Sequence, residues 1–273
     1  MALVTHPLQS IEARGSFALA AASGLGVGAL GGLIGLGGAE FRLPLLIAIF
    51  GFTALEAVIV NKAISLTVVA SALVFRAHAV PLDVLMSHWP IALNLLLGSL
   101  AGAWWGASWA TRALPRTLHR WMAVLLVGMA AALLLNHALS AGAALGLEGG
   151  ARWIAGVAAG LGIGVVASLL GVAGGELLIP TIVLLFGTDI KLAGSLSLAV
   201  SLPTMVVGFA RYSRDGSFQV LRSRRAMVVA MAVGSVVGAA IGASLLGVVP
   251  SAWLLPVLAL ILVVSALKIW RHA

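Results

Sequence analysis

The sequence predicts an all-α polytopic membrane protein made of two inverted-topology repeats. Each repeat has about four spanning helices plus a short, broken, re-entrant half-helix. Three observations predict this. The 273 residues are 62% hydrophobic and 9% charged, against about 25% charged in a soluble domain. The chain repeats itself at an offset of 136 residues. Finally, equivalent loops of the two copies carry opposite arginine bias.

The apolar runs are continuous and near 20 residues long, the length a helix needs to cross about 30 Å of hydrocarbon. Backbone polar groups in lipid must be satisfied within the segment or in a closed barrel. Unbroken rather than alternating hydrophobicity selects helices. The first half contains segments at 17–36, 41–51, 54–75, 88–110 and 121–139. The second contains 152–172, 177–187, 190–210, 226–246 and 252–270. The second member of each half reaches only about 16 Å at helical rise, so it is a half-helix joined to its predecessor by a non-helical break. Residues 1–16 are a polar tail before the first run. A signal-peptide reading is set aside because that run carries the first copy of the repeat.

The repeat needs no gap. Gly24-Leu25-Gly26-Val27-Gly28 returns as Gly160-Leu161-Gly162-Ile163-Gly164, and Gly38, Glu40 and Pro44 return as Gly174, Glu176 and Pro180. Ser65 meets Ser201, and Gly98, Gly102 and Gly106 meet Gly234, Gly238 and Gly242. The two repeats therefore occupy 1–140 and 141–273. Glycines four residues apart suit close helix packing. Gly26-x-Gly28-x-x-Gly31 lacks a preceding strand and is no dinucleotide motif.

Arg112, Arg116, His119 and Arg120 follow the fourth segment of the first half, while 247–251 has no charge. After the third segment the bias reverses, toward Arg211, Arg214, Arg222, Arg224 and Arg225. Positive-inside then places equivalent loops on opposite faces and both termini in the cytoplasm. Trp89, Trp121, Trp153 and Trp253 open segments, as interfacial anchors do.

The two breaks, Gly35-Leu36-Gly37-Gly38-Ala39-Glu40 and Gly171-Val172-Ala173-Gly174-Gly175-Glu176, carry the functional signal. Each frees backbone at membrane depth, where irregular chain lines a cavity or is buried in protein. Pro44 and Pro180 suit the first turn of the new helix. The half-helix N-termini then offer N–H groups and partial positive charge to an anion. Inverted symmetry brings both to one midplane site. Glu40 and Glu176 either stabilise those helix ends or carry a proton or cation in a transport cycle. Arg42 and Lys62 face Leu178 and Leu198 in the second copy, so both deep cations belong to the first. Lys62 lies about 12 Å into its segment, as an anion ligand or snorkelling to the interface. Asn61, Ser65, Ser197 and Ser201 supply neutral polar groups at matching depth, to a ligand or to neighbouring helices. The candidate substrate-binding set is Gly37, Gly38, Glu40, Arg42, Asn61, Lys62, Ser65, Gly174, Gly175, Glu176, Ser197 and Ser201. Glu40 and Glu176 are the proton-coupling candidates. Asn94 reads as an interhelical bond.

No cysteine is present, which removes disulfides and thiol chemistry. The histidines lack ligand spacing, and no nucleophile–base or metal motif appears, so neither metal, cofactor nor enzyme is expected. The net charge of +8 belongs to loops that orient the chain, not to nucleic-acid binding. A passive anion channel on the same scaffold is the alternative to a secondary transporter.

The doubled Gly-x-Gly-x-Gly run, the Gly-Gly-x-Glu and proline break, Asn61-Lys62 and the Ser-Leu after it resemble the TauE/SafE family of sulfite and organosulfonate exporters. The resemblance covers roughly 17–110 and 153–246. It implies a multi-pass protein of the inner membrane that moves a small inorganic or organic sulfur anion. It places Gly37, Gly38, Glu40, Lys62, Gly174, Gly175 and Glu176 in the substrate region. Two departures stand out. Ser197-Leu198 replaces Asn61-Lys62 in the second copy, leaving one cationic wall. The lack of cysteine argues against thiosulfate, whose carriers use cysteines.

Overall fold

The computed structural model describes residues 7–34, 38–76, 82–138 and 146–244, together with Leu260, Val263, Val264, Ala266, Leu267 and Trp270. The loop 247–251, most of the segment 252–270, and Gly35 and Gly37 of the first break lie outside the described residues. All regular structure among the described residues is helical. In chain order the helices are α1 (Pro7–Ile34), α2 (Ala39–Ala48), α3 (Ala54–Arg76), α4 (Leu82–Ser87), α5 (Trp89–Ala110) and α6 (Pro115–Ala138). They continue as α7 (Gly149–Leu170), α8 (Gly175–Phe186), α9 (Ile190–Tyr212), α10 (Val220–Ser223) and α11 (Arg225–Ser244), with a 3₁₀ turn at Gly216–Gln219. Five described helices are long and apolar enough to cross a membrane: α5, α7 and most of α3, α9 and α11.

Among the described residues the apolar segments foreseen from sequence are helical, with three differences. Helix α1 begins at Pro7, inside the expected polar tail. Short α4, α10 and the 3₁₀ turn occupy stretches expected as loop. Pro44 and Pro180 sit inside α2 and α8, as the sixth residue of each, not in the first turn. The reason is local: Gly38 and Gly174 adopt left-handed φ of 69° and 81° and start the helix immediately. The prolines therefore remove the backbone bond to the carbonyls of Glu40 and Glu176, four residues earlier.

Glycine stripes set the helix pairing. A Cβ on Gly24, Gly28 or Gly32 of α1 would overlap backbone at Met231, Ser235 or Ala239 of α11. A Cβ on Gly98, Gly102 or Gly106 of α5 would meet Val157, Leu161 or Val165 of α7. In both pairs the partner numbers rise together, so the helices run parallel. Under the 136-residue offset one pair is the copy of the other, with the two halves exchanged. Gly26 and Gly162 meet nothing within 4 Å, so only alternate glycines of the repeated run make the close approach.

Polar contacts extend this order. Thr204 bonds Ser99 at 2.7 Å and Arg211 bonds Ser108 at 2.8 Å, making α9 parallel to α5. The Arg224 guanidinium stacks 5.7 Å from the Phe52 ring, and Arg42 bridges Ser65 and Ser235, making α3 parallel to α11. Helices α3 and α9 run oppositely. Lys62 lies beside Gly208, whereas Leu66 and Val69 pack with Leu198, Leu202 and Met205. Thus α1, α3 and α11 point one way and α5, α7 and α9 the other. The ends of α5 and α9 and the starts of α3 and α11 share one end of the molecule, which gathers Arg112, Arg211, Arg214, Arg224 and Arg225.

Candidate functional site

The second break is described throughout. Helix α7 stops at Leu170, Gly171 turns left-handed with φ of 68°, and α8 begins after Gly174. The Gly171 and Val172 N–H groups bond the Ser168 and Ala167 carbonyls, the usual closure after a left-handed cap. Beyond the break, Leu177 and Leu178 donate to the Gly174 carbonyl, as Phe41 and Arg42 donate to that of Gly38. Both N-caps are glycines, so neither contributes a side-chain bond to the first N–H groups of its half-helix.

One asparagine joins the two breaks. Asn61 of α3 is fully buried. Its Nδ2 donates to the Ala39 carbonyl at 2.9 Å and the Leu170 carbonyl at 3.0 Å. The first carbonyl opens α2 and the second closes α7, so one side chain ties both interruptions to one level of α3. Its Oδ1 accepts from Arg42 Nη1 at 3.1 Å.

Arg42 is also fully buried. Its other bonds go to Ser65 Oγ at 3.1 Å and Ser235 Oγ at 3.2 Å. All three of these partners are neutral, so the guanidinium's charge is held but not cancelled by them, and its Nε has no partner. Glu40 lies within electrostatic reach of it.

Glu40 and Glu176 come from different breaks, 136 residues apart, yet their carboxyl groups interact directly. Both are buried, 2% and 4% exposed. Among the described residues, Glu40 Oε1, both oxygens of Glu176 and Ser201 Oγ have no conventional donor. Buried polar atoms without partners are rare in native proteins and call for an explanation. Here four of them fall on residues of the two breaks and of the symmetric serine.

The structure therefore brings Gly38, Glu40, Arg42, Asn61, Ser65, Gly174, Gly175 and Glu176 into and around one buried cluster. Lys62 is buried too, but it turns away toward Ser168 and Tyr212. Ser197 spends its hydroxyl on the Gly194 carbonyl in its own helix. Gly37 lies outside the described residues. Asn94 makes the expected interhelical bond, Nδ2 to the Trp153 carbonyl at 2.9 Å. Ser235, Ser168, Ser99 and Tyr212 were not foreseen. Two had a signal: Ser99 and Ser235 are equivalent at offset 136, each following a glycine of the packing stripe. Tyr212 is the only tyrosine of the chain, and its hydroxyl donates to the Ser168 carbonyl at 2.9 Å.

A bundle of membrane-length helices, interrupted twice around a buried set of two carboxyls and an arginine, defines a polytopic membrane protein with an internal polar site. Over residues 17–269 the chain matches the family model described as sulfite exporter TauE/SafE. It belongs to that family, and so to the membrane transporters. Comparison with curated proteins and with solved structures found no match.

Proposed function

We propose that the protein is a secondary transporter that moves a small oxyanion, sulfite or an organosulfonate, across the cytoplasmic membrane by alternating access between residues 1–140 and 141–273, coupled to a proton on Glu40 and Glu176. The observation that carries this reading is the meeting of the two breaks: Glu40 against Glu176, with Arg42 held beside them by neutral oxygens.

Charge explains the cargo. Arg42 and Lys62 bring two positive charges into the interior. Two carboxylates face to face in a buried site are strongly unfavourable when both are charged, and one shared proton relieves that. The interior then holds one net positive charge, which a small anion neutralises. The half-helix N-termini add partial positive charge. Loss of the shared proton adds a negative charge where the anion sits, so anion affinity and protonation are linked, as coupling requires.

The opposed direction of α1 and α7, of α3 and α9, and of α5 and α11 supports an inverted relation between the copies, the architecture in which one repeat rocks against the other around a midplane site. The arginine-rich end is the cytoplasmic one by the positive-inside rule. Helix α1 starts at that end.

The test is flux of labelled sulfite and sulfoacetate in proteoliposomes. Saturable uptake with counterflow is expected, abolished by Arg42→Leu and uncoupled from a pH gradient by Glu40→Gln with Glu176→Gln. Unsaturable flux without counterflow makes the protein a passive anion channel. Flux unaffected by either set of variants removes this site.

A further inference from the structure

We propose a second anion site, beside the second break where α3, α7 and α9 meet, centred on Lys62 Nζ with Ser168 Oγ and the ring face of Tyr212. It rests on the anion-transport reading for what fills it, and it gives the anion a holding place apart from the central cluster.

Asn61 and Lys62 are neighbours in α3, and consecutive residues of an α-helix point about 100° apart. Asn61 faces the breaks and Arg42. Lys62 therefore faces elsewhere, toward α7 and α9. Its Nζ is 3.4 Å from Ser168 Oγ and 6.0 Å from the Tyr212 ring centroid. The Ser168 hydroxyl donates to the Ala103 carbonyl at 2.9 Å, so it presents a lone pair to Lys62. The Tyr212 hydroxyl is committed to the Ser168 carbonyl, so only its ring face is turned to the ammonium.

An ammonium has three donors and no acceptor. Lys62 is wholly buried, and among the described residues the groups placed against its ammonium are a hydroxyl, an aromatic face and Gly208. None of these is a counter-charge. A buried cation held by neutral groups alone is strongly unfavourable, and an oxyanion supplies both the missing charge and the missing acceptors.

Gly208 makes the room. A Cβ there would stand 2.8 Å from Nζ and 3.0 Å from Ser168 Oγ, closer than ordinary contact. A side chain at 208 would make the lysine tip shift. One turn further on, Arg211 is fixed by Ser108 Oγ at 2.8 Å and Thr111 Oγ1 at 3.3 Å, so a second cation marks the way to the end of the molecule. In the other half, the positions equivalent to Lys62, Ser168, Gly208 and Tyr212 are Leu198, Gly32, Ala72 and Arg76. The arrangement is not repeated, so it belongs to one side only.

The native chain has no cysteine, so a single introduced thiol reports this place. Ser168→Cys in sided membrane vesicles is exposed to an anionic methanethiosulfonate (the ethylsulfonate) or a cationic one (the ethyltrimethylammonium). Reaction is expected, and inorganic sulfite should slow it. Adding Lys62→Met should lower the anionic-to-cationic rate ratio about tenfold or more, whereas Lys62→Arg should keep it. A folded Ser168→Cys protein that is inert to both reagents, or shows a ratio indifferent to Lys62→Met, overturns the site. Charge selectivity that stands in a protein without sulfite flux removes the proposed transport and leaves the site. Flux without this selectivity removes the site alone.

Discussion

Asn61→Ala should be the most damaging small substitution in the protein. The side chain makes three hydrogen bonds, all buried: to the Ala39 and Leu170 carbonyls and from Arg42 Nη1. The two neutral bonds contribute about 1 kcal/mol each, and the charge-assisted one about 1.5–3 kcal/mol. Leu170 is the last residue of α7, so its carbonyl has no donor within its own helix and is left bare. The sum is about 3–5 kcal/mol, and for a chain of this size that corresponds to a fall in Tm on the order of 10 °C. The assay is thermal unfolding of the purified protein in detergent, followed by tryptophan fluorescence and by size-exclusion after heating. Asn61→Ser, which installs the residue found at the equivalent position 197, keeps one donor and should fall between the two. A drop under about 2 °C for Asn61→Ala means that the two breaks are held together by something else, and the account of Asn61 as their link fails.

The other predictions concern packing and the Lys62 surroundings. Gly28→Ala and Gly164→Ala push a methyl group into the Ser235 and Ser99 carbonyls and should destabilise by about 1–3 kcal/mol. Gly26→Ala and Gly162→Ala meet open space and should stabilise by about 0.5–1 kcal/mol through helix propensity; the same thermal assay separates the two pairs, and equal behaviour contradicts the helix pairing. Tyr212→Phe deletes one buried hydrogen bond to the Ser168 carbonyl and should lower stability by about 1 kcal/mol while keeping the ring under Lys62, so a Tm unchanged within error contradicts that bond.

Much of this architecture was legible because duplication writes the same local physics twice. The glycine run, the break and the following half-helix recur without a gap, and a pattern seen twice reports structure better than one seen once. The helix spans followed from apolar length alone. What stayed hidden was which helix faces which. That α1 packs on α11 rather than on a helix of its own half is a long-range choice, and no local pattern encodes it. The splitting of Asn61 from Lys62 was hidden for a simpler reason. Adjacent residues look like one motif in a sequence, but a helix turns them to different neighbours. The prolines misled because their tolerance in a first turn is a tendency, while the left-handed Gly38 and Gly174 start the helices five residues earlier. Ser168 was unremarkable in sequence, since a serine in an apolar helix most often bonds its own backbone.

The two halves also show how a copied site loses its symmetry: Ser201, the copy of the Arg42-bonded Ser65, is left without a partner among the described residues, whereas another copied serine finds a new one. Ser235 and Ser99 are equivalent, and both are buried. Ser235 accepts a bond from Arg42. Ser99 cannot do the same, because the residue equivalent to Arg42 is Leu178; it is bonded instead by Thr204 at 2.7 Å. The residue equivalent to Thr204 is Val68. The first half thus combines Arg42 with Val68, and the second combines Leu178 with Thr204. Each arrangement satisfies its serine, and only one carries charge. It follows that Arg42→Leu alone removes the Ser235 partner, and that adding Val68→Thr recreates the arrangement of the second half. In a double-mutant cycle the two substitutions should couple favourably by about 0.5–1.5 kcal/mol, one neutral hydrogen bond. Sulfite flux should remain absent in the double variant, because the bond is restored and the charge is not. Zero coupling would show that Arg42 and Thr204 are unrelated solutions. Restored flux would show that the cation at 42 is structural and that the anion is bound elsewhere.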